Sequence, residues 1–160
     1  MIDTSTIPAT GTDIRSVVKT VELVTTPEQA FADWASAEGL ARWWIRAGME
    51  VDLRVGGPFE LYFDQHQPEG SRGSEGCKYL GYVPGEMISF TWNAPPHLPL
   101  RSSNTWVVIT FHGTHRGTTK VRLVHTGFLE GPDWDDYMEY FDKAWGMVLH
   151  RQQTMHEHDD

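Results

Sequence analysis

Hydrophobic periodicity changes near Gly131, and the change constrains the fold class of this chain. From Met49 to Phe128 apolar residues alternate with polar ones at the two-residue period of a strand, and Gly, Pro, Asn and Asp break the run into segments. After Gly131-Pro132-Asp133 the spacing becomes three-four, so that Trp134, Tyr137, Met138, Phe141, Trp145, Val148 and Leu149 form one stripe of a long helix. A half-polar antiparallel sheet must have one face covered, and this helix is the long amphipathic element available to cover it. The expectation is an α+β domain: a curved antiparallel sheet of about six or seven strands around a long C-terminal helix, with two short helices after the first strand.

Alternation assigns the faces. After Gly56-Gly57 the inward set is Phe59, Leu61 and Phe63, opposite Glu60, Tyr62 and Asp64. After Gly85 it is Ile88, Phe90 and Trp92, and in the last strand Val121, Leu123 and His125, opposite Lys120 and Arg122, which puts a histidine on the core side. Cys77 and Tyr79 are read as inward in the strand between. Upstream, Ile14 to Val24 reads as the first strand. Thr26-Pro27-Glu28-Gln29 starts a helix running to about Ala35, with Thr26 capping the Gln29 amide and Gln29 reaching back. Ser36 caps a second short helix carrying Leu40, Trp43 and Trp44, which Gly48 ends.

In the long helix Asp133 is read as the cap, with Asp135 and Asp136 near the positive end. Gly146 interrupts it at about 1 kcal/mol relative to Ala, which points to close helix-to-sheet contact or to room for a guest. Residues 64–76 and 93–104 read as long loops covering a sheet edge. The division expected is a flexible leader over 1–13, one domain over 14–155 and a frayed acidic tail over 156–160.

With 160 residues the chain suits one domain. Thirteen Lys and Arg against 22 Asp and Glu, a formal net charge of -9, oppose nucleic acid and anionic membranes as partners. One cysteine excludes an internal disulfide framework and a thiolate-rich zinc site, in keeping with a reducing cytoplasm. The opening residues have no basic start followed by an apolar run, so no secretory signal is expected, and no segment has the length of a membrane span. Aromatic residues make up 12% of the chain, more ring area than a small core usually needs, and some of it is expected to line a cavity.

Five motifs in order carry a resemblance: Thr26-Pro27-Glu28 leading into Phe31; Leu40-Ala41-Arg42-Trp43-Trp44; Gly56-Gly57-Pro58-Phe59; Gly81-Tyr82-Val83-Pro84 leading into Phe90-Thr91-Trp92; and His125-Thr126-Gly127-Phe128. Over about residues 14–152 the chain resembles the START-like (helix-grip, SRPBCC) superfamily. Within it, the motifs resemble the branch of the C-terminal domain of the activator of the ninety-kilodalton heat-shock-protein ATPase. The resemblance implies an apolar cavity between sheet and C-terminal helix, and with it the binding of a small apolar or aromatic ligand without evident catalysis. It also implies two alternatives: a co-chaperone-like stimulator of a heat-shock chaperone ATPase, or a polyketide cyclase-like or hydrolase-like enzyme using His125.

The candidate cavity residues are Trp34, Trp43, Phe59, Leu61, Phe63, Cys77, Tyr79, Phe90, Trp92, Leu123, His125, Phe128, Phe141, Trp145 and Leu149. No catalytic residue, metal ligand or cofactor is assigned, and the chain is expected to be a monomer or homodimer. His125 has three open roles: a strand-pinning hydrogen bond, a ligand anchor or a proton carrier. Cys77 reads as a small buried hydrophobe rather than a reactive thiol. His150, His156 and His158 with Asp159 and Asp160 are read as a tail that holds metal only adventitiously.

Overall fold

The first strand, β1 (Arg15–Leu23), passes at Thr26 into α1 (Pro27–Ala35). Its cap forms as the residues predict: the Thr26 hydroxyl accepts the Gln29 amide at 3.2 Å, and Pro27 occupies the first helical turn, where its missing N–H costs nothing. Gln29 does not reach back; its side chain lies 3.4 Å from Asp33 Oδ1 instead. The computed structural model describes residues 14–101 and 105–158, so the leader over 1–13 and the last two residues lie outside the described chain.

Ser36 caps α2 (Ala37–Ala41), accepting the Gly39 amide at 3.0 Å. This helix is shorter than expected, for the Leu40 carbonyl collects the amides of Trp43, Trp44 and Ile45 in a turn. In a continuing helix the adjacent indoles would diverge by about 100°. The turn instead seats both against Trp34, with ring centroids 4.9 and 5.5 Å away. Gly39 lets the two helices meet, since a Cβ there would stand 2.2 Å from the Ala32 carbonyl oxygen.

Seven strands follow the expected alternation but divide between two sheets. Besides β1 they are β2 (Met49–Val51), β3 (Phe59–Leu61), β4 (Tyr79–Val83), β5 (Met87–Trp92), β6 (Thr105–Gly113) and β7 (Thr119–Phe128). An antiparallel five-stranded sheet has the order β1-β7-β6-β5-β4, while β2 and β3 pair only with each other. The register places Val17, His125 and Val107 side by side, and next to them Leu123 opposite Ile109, all buried on one face. β3 ends at Leu61, so Phe63 is not on an inward strand position. Its amide pairs with the Arg72 carbonyl of the following loop, and its side chain is 45% exposed.

Against the buried face lies α3 (Pro132–His158), 27 residues and about 40 Å long. It begins at Pro132, so Asp133 stands inside the first turn rather than capping it. Tyr137, Phe141, Trp145 and Leu149 are buried, while Trp134, Met138 and Val148 pack part-buried at the stripe's margins. Ion pairs from Asp135 to Arg15 (2.7 Å) and from Asp142 to Lys19 (2.9 Å) tie the helix to edge strand β1. Gly146 is exposed and no atom lies within 4 Å of where its Cβ would be, so neither close packing nor space for a guest explains it. The helix also continues through the expected tail: His156 is helical and only 7% exposed.

Candidate functional site

Local chemistry fixes the state of His125 at the centre of the core. An indole N–H can only donate, so the 2.9 Å contact from Trp145 Nε1 makes His125 Nδ1 an acceptor. In the neutral ring the proton then sits on Nε2 and is donated to Thr105 Oγ1, 2.6 Å away. Thr105 passes its own proton to the Trp92 carbonyl at 2.9 Å, and Tyr137 O–H reaches Thr105 at 3.1 Å. Burial pushes the His125 pKa down to about 3, and a second ring proton would face the Trp145 N–H. His125 is therefore a neutral hydrogen-bonding joint between β7, β6 and α3, with both nitrogens engaged.

Around that joint the interior is filled. Phe59 and Phe90 pack at a tilt with centroids 4.2 Å apart, Trp92 lies 5.3 Å from Trp145, and Phe128 lies 4.5 Å from His125. Tyr79 O–H donates to the Trp34 carbonyl at 2.8 Å. Cys77 is 1% exposed, and burial pushes its thiol up to about 11, which leaves it protonated and unreactive near neutral pH.

The open volume lies beside this core. A cleft of about 520 Å³ runs between the middle of α3 and the loops over residues 64–73 and 93–101. Its floor is aromatic, formed by Trp44, Phe63, Trp92, Phe141 and Trp145, with Ala144 and Val148 on the helix side and Pro95 and Pro96 on the loop side. Polar groups stand on the rim: Asp64, Gln67, Ser71, Arg72, Asn93, His97, Arg101 and Tyr140. An apolar floor with a few placed polar groups is the usual make-up of a small-molecule site.

One side chain frames the cleft. Arg101 donates from Nε and Nη2 to the Gly70 carbonyl (3.1 and 2.7 Å), from Nη2 to Gly73 (2.8 Å) and from Nη1 to Ala94 (2.5 Å), clamping one loop to the other. Glu75 completes the frame by accepting the amides of Gly70, Arg72 (2.7 Å) and Gly73 (2.9 Å). Burial opposes its charge, yet these three amides hold its carboxyl below the usual range.

The expected cavity residues separate into two groups. Phe63, Trp92, Phe141 and Trp145 line the cleft. Trp34, Trp43, Phe59, Leu61, Cys77, Tyr79, Phe90, Leu123, His125, Phe128 and Leu149 are packed in the core and do not reach it. Trp44, on the turn after α2, joins the cleft group.

A buried polar cluster went unread in the sequence. Asp33, fully buried on α1, accepts Arg42 at 3.1 Å on Oδ1, and Gln152 (2.9 Å) and His156 (2.6 Å) on Oδ2. The signal was present: the stripe 137, 141, 145, 149 continues at helical spacing through Gln152 and His156. This cluster locks the far end of α3 to α1 and stands apart from the cleft residues.

Comparison with known proteins follows this geometry. The family model described as Activator of Hsp90 ATPase homolog 1-like protein matches residues 24–156. No curated protein matches the sequence. Among solved structures, protein MLL2253 from Mesorhizobium loti superposes with a TM-score of 0.72 at 20% identity, covering 91% of this chain and 99% of its own. The Aha1 dimer from Colwellia psychrerythraea gives 0.66 at 16% identity, with 90% and 97% covered. CalU16 from Micromonospora echinospora gives 0.65 at 17% identity, with 89% and 76% covered. At these identities the structural likeness is one of fold.

Proposed function

This chain belongs to the Activator of Hsp90 ATPase homolog 1-like family, and from that premise we propose that it binds a small apolar or aromatic molecule in the cleft beside its long helix. The observation that supports this reading most is the aromatic floor of Trp44, Phe63, Trp92, Phe141 and Trp145 beneath a volume of about 520 Å³. Most of these rings are themselves nearly buried, but Phe63 is 45% exposed at the mouth, and a flat or aliphatic guest that covers it and fills the volume above the indoles would remove apolar surface from water. The test is thermal stabilisation across a library of aromatic and lipid-like compounds. A ligand at a hundred times its dissociation constant adds about 2.7 kcal/mol of stability. Indole emission from Trp44, Trp92 and Trp145 should shift with the same compounds. A library that moves neither signal overturns the reading.

The family description favours a second reading, stimulation of a heat-shock chaperone ATPase. An unchanged ATPase rate of the host chaperone at saturating protein removes it. The enzyme alternative needed His125 as proton carrier. With both ring nitrogens engaged by Thr105 and Trp145, this residue has no lone pair or proton to offer a substrate, and the reading is not carried forward.

A further inference from the structure

Two arginines stand in the cleft wall, and they are in opposite states. Arg101 spends its donors on the carbonyls of Gly70, Gly73 and Ala94 and is a structural clamp. Arg72 spends none. Its Nε is shut off from solvent and has no hydrogen-bond partner among the described residues. Glu75 Oε2 lies 3.6 Å from that nitrogen, an ion pair longer than a hydrogen bond, and the Glu75 oxygens are already taken by the amides of Gly70, Arg72 and Gly73. The guanidinium carbon sits 5.1 Å from the centroid of the Tyr62 ring, a contact that orients the plane without using an N–H.

The backbone carrying this cation is fixed on both sides. The Arg72 amide donates to Glu75 at 2.7 Å, and its carbonyl accepts the amides of Phe63 (2.8 Å) and Asp64 (3.1 Å). Asp64, the carboxylate among the described lining residues, is turned into its own loop: Oδ1 accepts the His66 amide and Oδ2 accepts Gln67 Nε2. A protein of net charge -9 thus presents beside an indole floor a preorganised guanidinium that is ion-paired with Glu75 at 3.6 Å but leaves its N–H donors without a hydrogen bond among the described residues. Leaving a partly buried donor unpaired is costly, and a planar fork of donors is matched best by a carboxylate.

Resting on the ligand-binding reading above, we propose that the cleft takes an aryl carboxylate, with its ring against Trp44, Trp92 and Trp145 and its carboxylate paired with Arg72. The test compares 2-naphthoate with 2-acetylnaphthalene, a neutral ketone of nearly the same shape, by calorimetric titration of the full-length protein. The native protein should bind the carboxylate about tenfold or more tighter than the ketone, as a charge-assisted pair implies. Arg72→Gln should bring the two affinities together by weakening the carboxylate alone, and Arg72→Lys should restore part of the preference. Equal binding of both probes by the native protein, or a preference that survives Arg72→Gln, overturns the carboxylate assignment while the apolar cleft stands. If the native protein binds neither probe, the carboxylate assignment and the ligand-binding reading fall together. Unchanged ketone affinity in Arg72→Gln shows that the variant's cleft is intact, and the native comparison decides the matter if that variant does not fold.

Discussion

His125 shows how one residue's neighbours decide its chemistry. Alternation placed it on the core side of β7, and that much was readable, because a strand's faces follow from its two-residue period. Its role was not readable, since Thr105, Trp145 and Tyr137 come to it from 20, 20 and 12 residues away in sequence. The consequence is a pH dependence of known sign. The folded pKa, about 3, lies below the ordinary value of 6.5, so the unfolded chain takes up the proton first as pH falls. This residue's stabilisation is complete above about pH 6.5 and is lost from there down to about 3, at up to about 1.4 kcal/mol per pH unit. Urea unfolding between pH 7 and pH 5 should show this decline, and the imidazole resonances of His125 should not titrate over the same interval. A His125 titration midpoint near 6.5 in the folded protein would refute the tautomer assigned here.

At the scale of elements the helices divide into those governed by local signals and those governed by packing. Capping made α1 and the start of α2 legible, because Thr26 and Ser36 satisfy amides three residues away. The early end of α2 was not legible, being set by two indoles that both find Trp34. Along α3 the apolar stripe was evident, whereas Gln152 and His156 were hidden by their polarity until Asp33 arrived from α1 to bury with them. Gly146, which the sequence offered as a sign of close helix-to-sheet contact or of room for a guest, lies on the exposed face with open space around its Cβ position. Gly146→Ala should therefore raise stability by about 0.5–1 kcal/mol through the unfolded chain's lost freedom, with the response to 2-naphthoate the same as that of the native protein. Chemical unfolding checks the first outcome and titration the second; a destabilised variant would mean that this stretch of α3 bends in a way alanine resists.

The whole molecule is a sheet closed by one helix, with its open cleft displaced to the side where two loops meet α3. The architecture was legible because periodicity and turn residues are local, and the five motifs carried the same answer. The cleft was only partly so: strand alternation yields a list of inward residues, and it cannot tell those that touch one another from those that border a gap. Phe63, counted inward for its parity, borders the cleft by leaving the strand ladder. Arg101 gave no signal at all, because what it recognises is main chain in a loop 28 to 31 residues away. Arg101→Ala should loosen both loops together, seen as faster amide hydrogen exchange over residues 66–76 and 93–101 while the amides of β6 and β7 keep their protection. Exchange that quickens in one loop alone would show that the clamp is not shared.

Because Arg101 grips the carbonyl oxygens of Gly70, Gly73 and Ala94, its hold does not use the side chains of the rim residues between them. The scaffold and the lettering on its rim are thereby separable. Gln67, Ser71 and His97 can be exchanged by mutation, in a laboratory or over generations, without dismantling the frame that holds them. Such a chain can change the chemistry of its cleft rim while keeping its old shape.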